Sequence, residues 1–94
     1  MKNIKQYILE DQIEDCEEEI TTIVDSLIKD NKWSNKLKQI ISGLNDFHSS
    51  NGKLAQDFLD NITNLLTNSY SIHMLEDKSG IDLVKMRLEQ NLIN

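Results

Sequence analysis

Leu9-Glu10-Asp11-Gln12-Ile13-Glu14-Asp15-Cys16-Glu17-Glu18-Glu19-Ile20-Thr21-Thr22-Ile23-Val24-Asp25-Ser26-Leu27 decides the fold class of this chain of 94 residues. Leu9, Ile13, Cys16, Ile20, Ile23 or Val24, and Leu27 step by four and three. At helical pitch these positions share one face, close to a heptad seam. Ile4 and Ile8 extend that face toward the N-terminus. Asp30-Asn31-Lys32 interrupts it, and Asn31 is placed to cap the helix that follows.

Working outward, the same period recurs. Trp33, Leu37, Ile40 or Ile41, Leu44 and Phe47 make a second apolar face. Ser49-Ser50-Asn51-Gly52 joins four turn- and cap-favouring residues and reads as a turn. Leu54, Phe58, Ile62, Leu65, Leu66, Ser69 and Ile72 or His73 form a third stripe. That helix either runs unbroken to Asp77 or kinks in 67–71, where helix propensity is poor. Ser79-Gly80-Ile81-Asp82 resembles a capping box, with Ile81, Val84, Leu88 and Leu92 beyond it. No stretch alternates apolar and polar residues for long enough to predict a strand. The spacing therefore predicts an all-α fold, a small antiparallel helical bundle of about four helices, two long and two shorter. They lie near residues 3–29, 32–48, 52–77 and 80–92, in one domain spanning 1–94.

Length and composition narrow the function classes. A chain this short holds one domain and one modest core, which excludes a multidomain enzyme. A single cysteine cannot form an internal disulfide. The apolar runs are only a few residues long, and Met1-Lys2-Asn3-Ile4-Lys5-Gln6 lacks the apolar centre of a signal peptide. A cytoplasmic location is the expectation. Lysine is used almost to the exclusion of arginine, and Asn and Ile are abundant. That usage points to AT-rich coding, as in low-GC bacteria, their phages and plasmids.

The formal net charge is −6, and all of it sits in the first third. Residues 1–30 hold three lysines against nine acids, a balance of −6, whereas 31–94 hold seven charges of each sign. An acidic chain whose one arginine is Arg87 is poorly suited to nucleic acid or to an anionic membrane, because both need clustered cations. Within the run, Glu10–Glu14, Asp11–Asp15, Glu14–Glu18 and Asp15–Glu19 are like-charged pairs four residues apart. In mid-helix each costs ~0.2–0.5 kcal/mol, together roughly 1–2 kcal/mol. Three readings account for the run. It is a docking face for a basic partner, where complementary potential speeds association. Or the helix begins near Asp11, so that the macrodipole favours the acids. Or Lys32, Lys36 and Lys38 on the next helix neutralise it internally.

Other candidates for chemistry have plainer readings. Trp33 reads as a core anchor rather than an exposed hot spot, since tryptophan is highly buried on average. Cys16, on the apolar stripe, reads as a small buried thiol. Tyr7, Tyr70 and Phe47 fall near apolar faces and are expected in the core. His48 ends the second helix, where a cation suits the dipole. His73 has Glu76 and Asp77 at i+3 and i+4, but the chain holds no Cys-x-x-Cys and no His-Glu-x-x-His. No nucleophile elbow or glycine-rich phosphate loop is present. No metal and no cofactor are expected, and the chain is not expected to be an enzyme.

Two helical families have chains of about this size. Secreted helical hairpins built on Trp-x-Gly differ here, because Ser34-Asn35 follows Trp33. Histidine phosphotransfer domains carry a histidine four residues before a glycine in mid-helix. His48 and Gly52 have that spacing, but Asn51 stands where lysine is usual, and the surrounding residues read as a turn. Neither family is assigned. The expected function is a non-enzymatic acidic protein-binding module that blocks its partner by occlusion: an immunity protein, an antitoxin, or a phage-encoded inhibitor of a nuclease or defence complex. Glu10, Asp11, Glu14, Asp15, Glu18 and Glu19 are the candidate contact residues, acting as a nucleic-acid mimic toward a basic partner such as a nucleic-acid-binding enzyme. The alternatives are a structural or chaperone-like helical protein that self-associates as a homodimer and, behind it, a phosphotransfer-type bundle.

Overall fold

The computed structural model describes the backbone of residues 2–46 and 48–93, and side chains from residue 12 onward. The expectations for Tyr7, Phe47 and the side chains of Glu10 and Asp11 lie outside the described residues. Six helices follow one another: α1 (Lys2–Leu27), α2 (Asn31–Ser34), α3 (Leu37–Asn45), α4 (Gly52–Leu65), α5 (Ser69–Glu76) and α6 (Lys78–Ile93). No strand occurs among the described residues. The fold is the all-α bundle read from the sequence, but two of the four expected helices are each divided.

Each division has a local cause. Asp30, not Asn31, caps α2: its backbone is extended, and its Oδ1 accepts from Lys32 N at 3.0 Å. Asn31 is already the first helical residue. The single turn of α2 swings Trp33 inward, and the chain leaves the helix at Asn35–Lys36 before restarting at Leu37. Spacing alone could not show this, because Trp33 and Leu37 both remain buried across the kink. The third stripe takes the kinked alternative as a full break. Leu66 and Asn68 are extended, and Asn68 Oδ1 accepts from Tyr70 N at 2.9 Å, so the residues of low helix propensity start α5 instead of continuing α4. The capping box at 79–82 does not form, because Ser79 lies inside the first turn of α6. Asp77 alone joins α5 to α6, and its carbonyl accepts from Gly80 N and Ile81 N at 3.2 Å.

The core runs through Ile20, Val24, Trp33, Leu37, Ile40, Leu44, Ala55, Phe58, Ile62, Leu66, Leu75, Val84 and Leu88. Trp33 and Phe58 meet edge-on, with ring centroids 5.2 Å apart at 70°. That is a favoured aromatic geometry, and it fixes α2 against α4. Four positions expected on apolar faces or in the core are exposed instead: Ile13 (47%) on the α1 stripe, Leu92 (41%) on the α6 stripe, Leu65 and Tyr70. Leu65 is 52% exposed while Leu66 is 8% exposed, because the break after Leu65 turns only the second leucine inward. Tyr70, in the first turn of α5, is half-exposed rather than in the core.

Two glycines allow backbones to touch. A Cβ on Gly43 would collide with the Asn51 carbonyl and lie 2.8 Å from Ala55 Cβ, so α3 and α4 can pack this closely only over hydrogen. A Cβ on Gly80 would collide with the Met74 carbonyl at the α5–α6 joint.

The course of the chain along α1 can be read from its contacts. Ser71 meets Glu19, whereas His73, Met74 and Asp77 border the same cleft as Gln12 and Cys16, so α5 runs back along α1. α6 then returns in the direction of α1, with Ser79 at that cleft and Arg87 at Asp25. Arg87 grips Asp25 with a fork, donating from Nε to Oδ1 at 2.8 Å and from Nη2 to Oδ2. The planar guanidinium matches the carboxylate in a way lysine could not. This contact locks α6 onto α1 and leaves the opposite side of α1 in solvent.

Candidate docking face on the first helix

The acidic run occupies the middle of α1, two turns or more beyond Lys2, so the helix dipole does not account for it. Glu14, Asp15, Glu17 and Glu18 are exposed. Among the described residues, no ammonium or guanidinium nitrogen lies within 4.0 Å of them; the described salt bridges are Lys85–Asp82 and Arg87–Asp25. Lys32, one of the three lysines that could have neutralised the run, instead lies over the Trp33 ring, with Nζ 4.8 Å from its centroid. Lys36 and Lys38 are exposed and make no described ion pair with the run. The like-charge cost of the run is therefore not offset by the described cations.

Glu19 differs from its neighbours. It is half-buried, and its carboxylate ties the α4–α5 break to α1. Oε2 accepts from Thr67 N at 3.1 Å and from Thr67 Oγ1 at 2.8 Å, and Oε1 accepts from Ser71 Oγ at 2.7 Å. The break frees the N–H of Thr67, and a carboxylate from another helix accepts from it and from the hydroxyls of Thr67 and Ser71. Burial pushes the Glu19 carboxyl up. The hydrogen bonds from Ser71 and Thr67 outweigh it, so the group sits below its ordinary value of 4.5. Asp25 is likewise held below its ordinary 3.8, first by the hydrogen bonds from Arg87, against burial.

Of the six candidate contact residues, the structure thus groups Glu14, Asp15 and Glu18 on the open side of α1. It engages Glu19 in the fold, and the side chains of Glu10 and Asp11 lie outside the description. Beside the open carboxylates lies a shallow depression of about 420 Å³, bordered by Asp15, Glu18, Glu19, Thr22, Ile23 and Leu65. The sequence reading missed Leu65 as a surface residue. Its signal was the Leu65–Leu66 pair, since only one of two adjacent leucines can face a core at a helix end. The Glu19 clamp left no local signal, because its partners lie 48 and 52 residues away.

The other polar constellations are dispersed. His48 lies in the turn between α3 and α4, where its N–H donates to Asp46 Oδ1 at 3.0 Å. A phosphotransfer histidine needs a mid-helix position. His73 is exposed on α5, and no group of three metal-ligating side chains occurs among the described residues. Cys16 is buried with a free thiol. No helix among the described residues is long and apolar enough to cross a membrane. The chain matches no protein-family model, no curated protein and no solved structure.

Proposed function

We propose that this chain is a non-enzymatic acidic binding module, acting in the cytoplasm, that blocks a basic partner protein by occlusion. The observation that carries the reading is the row Glu14, Asp15, Glu17 and Glu18: exposed, in mid-helix, and without a described cation of the chain itself beside it. A fold has no use for like charges at this spacing, whereas an interface does, since a uniform negative field steers a cationic cleft onto the helix and repels acidic competitors. Enzymes that bind nucleic acid present such clefts. In that setting the carboxylates occupy phosphate positions, and inhibition needs no turnover. This chain is proposed to be an immunity protein, an antitoxin or a phage-encoded inhibitor of a nuclease or defence complex. Direct binding of nucleic acid runs against the sign of the charge.

The test is retention of a partner from extract of the source organism on immobilised wild-type protein and on the Glu14→Lys/Glu18→Lys variant. Glu19 is left intact because it holds the fold. The partner is expected on the wild type, in amounts that fall as salt rises, and not on the variant. Equal retention by both proteins contradicts the reading.

A second reading is self-association. It is favoured by the exposed Met86 in the middle of α6 and the exposed Leu92 and Ile93 at its C-terminal end. Sedimentation separates the two: a dimer or larger species at micromolar concentration supports it, and a monomer rejects it.

A further inference from the structure

Charge does not explain the exposure of Leu65 on the acidic side. This leucine is half in solvent at the last position of α4, next to the buried Leu66, and it borders the same depression as Ile23 and Thr22 of α1. Two of the walls are the open carboxylates of Asp15 and Glu18. The third carboxylate, Glu19, is held by Thr67 and Ser71, so the floor between α1 and the end of α4 is set in place by the fold.

From this geometry we infer that the depression between α1 and the end of α4 takes one apolar side chain of a cationic amphipathic segment, with lysines or arginines on either side of it reaching Asp15 and Glu18. The inference rests on the docking reading above and deepens it by naming the partner's chemistry. The occupant follows from complementarity. An aliphatic side chain covers Leu65 and Ile23, which water now wets, and only cations can lie beside the two carboxylates without repulsion. A purely ionic partner would leave Leu65 wet, and a purely apolar one would strip water from unpaired carboxylates, which is costly. The arrangement has the anatomy of a small hot spot, an apolar centre inside a charged rim.

The probes are two synthetic helical peptides of equal length and charge, one with lysines flanking a leucine face and one with serine in place of each leucine. Each is titrated into the full-length protein, with amide chemical shifts and fluorescence anisotropy as readouts. The leucine peptide is expected to shift the amides of Ile23 and Leu65 together with those of Asp15 and Glu18. Leu65→Ser should weaken it by about tenfold, the loss of roughly half a leucine's burial, and Leu65→Met should restore it. The serine peptide should bind more weakly and be indifferent to Leu65→Ser. Leu65 is exposed, so both variants keep the core. If the leucine peptide binds and Glu14→Lys/Glu18→Lys abolishes binding, but Leu65→Ser changes nothing, the apolar seat is refuted and the charged face stands. If neither peptide binds at millimolar concentration, the charged face and the seat both fall.

Discussion

At the scale of single residues, neighbouring glutamates in one helix have different roles. Glu18 faces solvent, while Glu19 accepts three hydrogen bonds from the α4–α5 break. Glu19→Ala should cost about 1–2 kcal/mol in urea unfolding, because it leaves the Thr67 N–H and the Ser71 hydroxyl without their acceptor. Glu18→Gln should be neutral or stabilise by about 0.2–0.5 kcal/mol, by relieving like-charge repulsion. Equal losses for the two would place Glu18 in the fold and remove the basis for an open face. The same contrast has a pH signature. Glu19 and Asp25 both have lowered values in the folded chain, so the unfolded chain takes up protons first. Their contribution is complete above the ordinary values of 4.5 and 3.8 and is lost as pH falls through them toward the folded values. Stability followed from pH 6 to pH 2 should decline across that window, and Glu19→Gln should flatten its upper part. An identical decline in the variant would show that Glu19 does not titrate with folding.

At the scale of elements, the apolar period showed where helices lie but not where they break. Trp33 and Leu37 keep a spacing of four through the kink at Asn35–Lys36, so the pattern is blind to it. The division at Leu66–Asn68 was legible as low propensity. Its completeness was not, because the acceptor that stabilises it comes from Glu19, far off in the chain. The close crossings were hidden for the same reason: a helical glycine looks merely unfavourable until its neighbour is known. Gly43→Ala would gain about 0.5–1 kcal/mol on helix preference alone. Against the Asn51 carbonyl and Ala55 it should instead destabilise by about 1–3 kcal/mol, as overpacking does. Thermal unfolding of Gly43→Ala and Gly80→Ala checks this, and a raised midpoint in either would mean that the backbones do not approach so closely. The two adjacent leucines give a sharper test of the end of α4. Leu66→Ala should cost about 2–5 kcal/mol and Leu65→Ala much less. The reverse order would place the end of α4 one residue away.

At the scale of the whole molecule, the sequence displayed the charge asymmetry, and the fold determines which side of α1 carries it outward. α5 and α6 lie along one side, held by the Glu19 clamp and the Arg87–Asp25 fork, and the remaining side presents Glu14, Asp15 and Glu18. The candidate face was legible because charge is written in the residues themselves. The removal of Glu19 from it, and the addition of Leu65, were not, since both depend on contacts between segments far apart in the chain. This outward row is proposed as the site of attachment for a cationic protein. The most direct measurement is the dissociation constant of the retained partner across a range of ionic strength, for the wild type and for Glu14→Lys/Glu18→Lys. Steady weakening with salt is expected for the wild type, and a loss of about tenfold or more at low salt for the variant. A constant that responds to neither salt nor charge reversal would contradict that proposal.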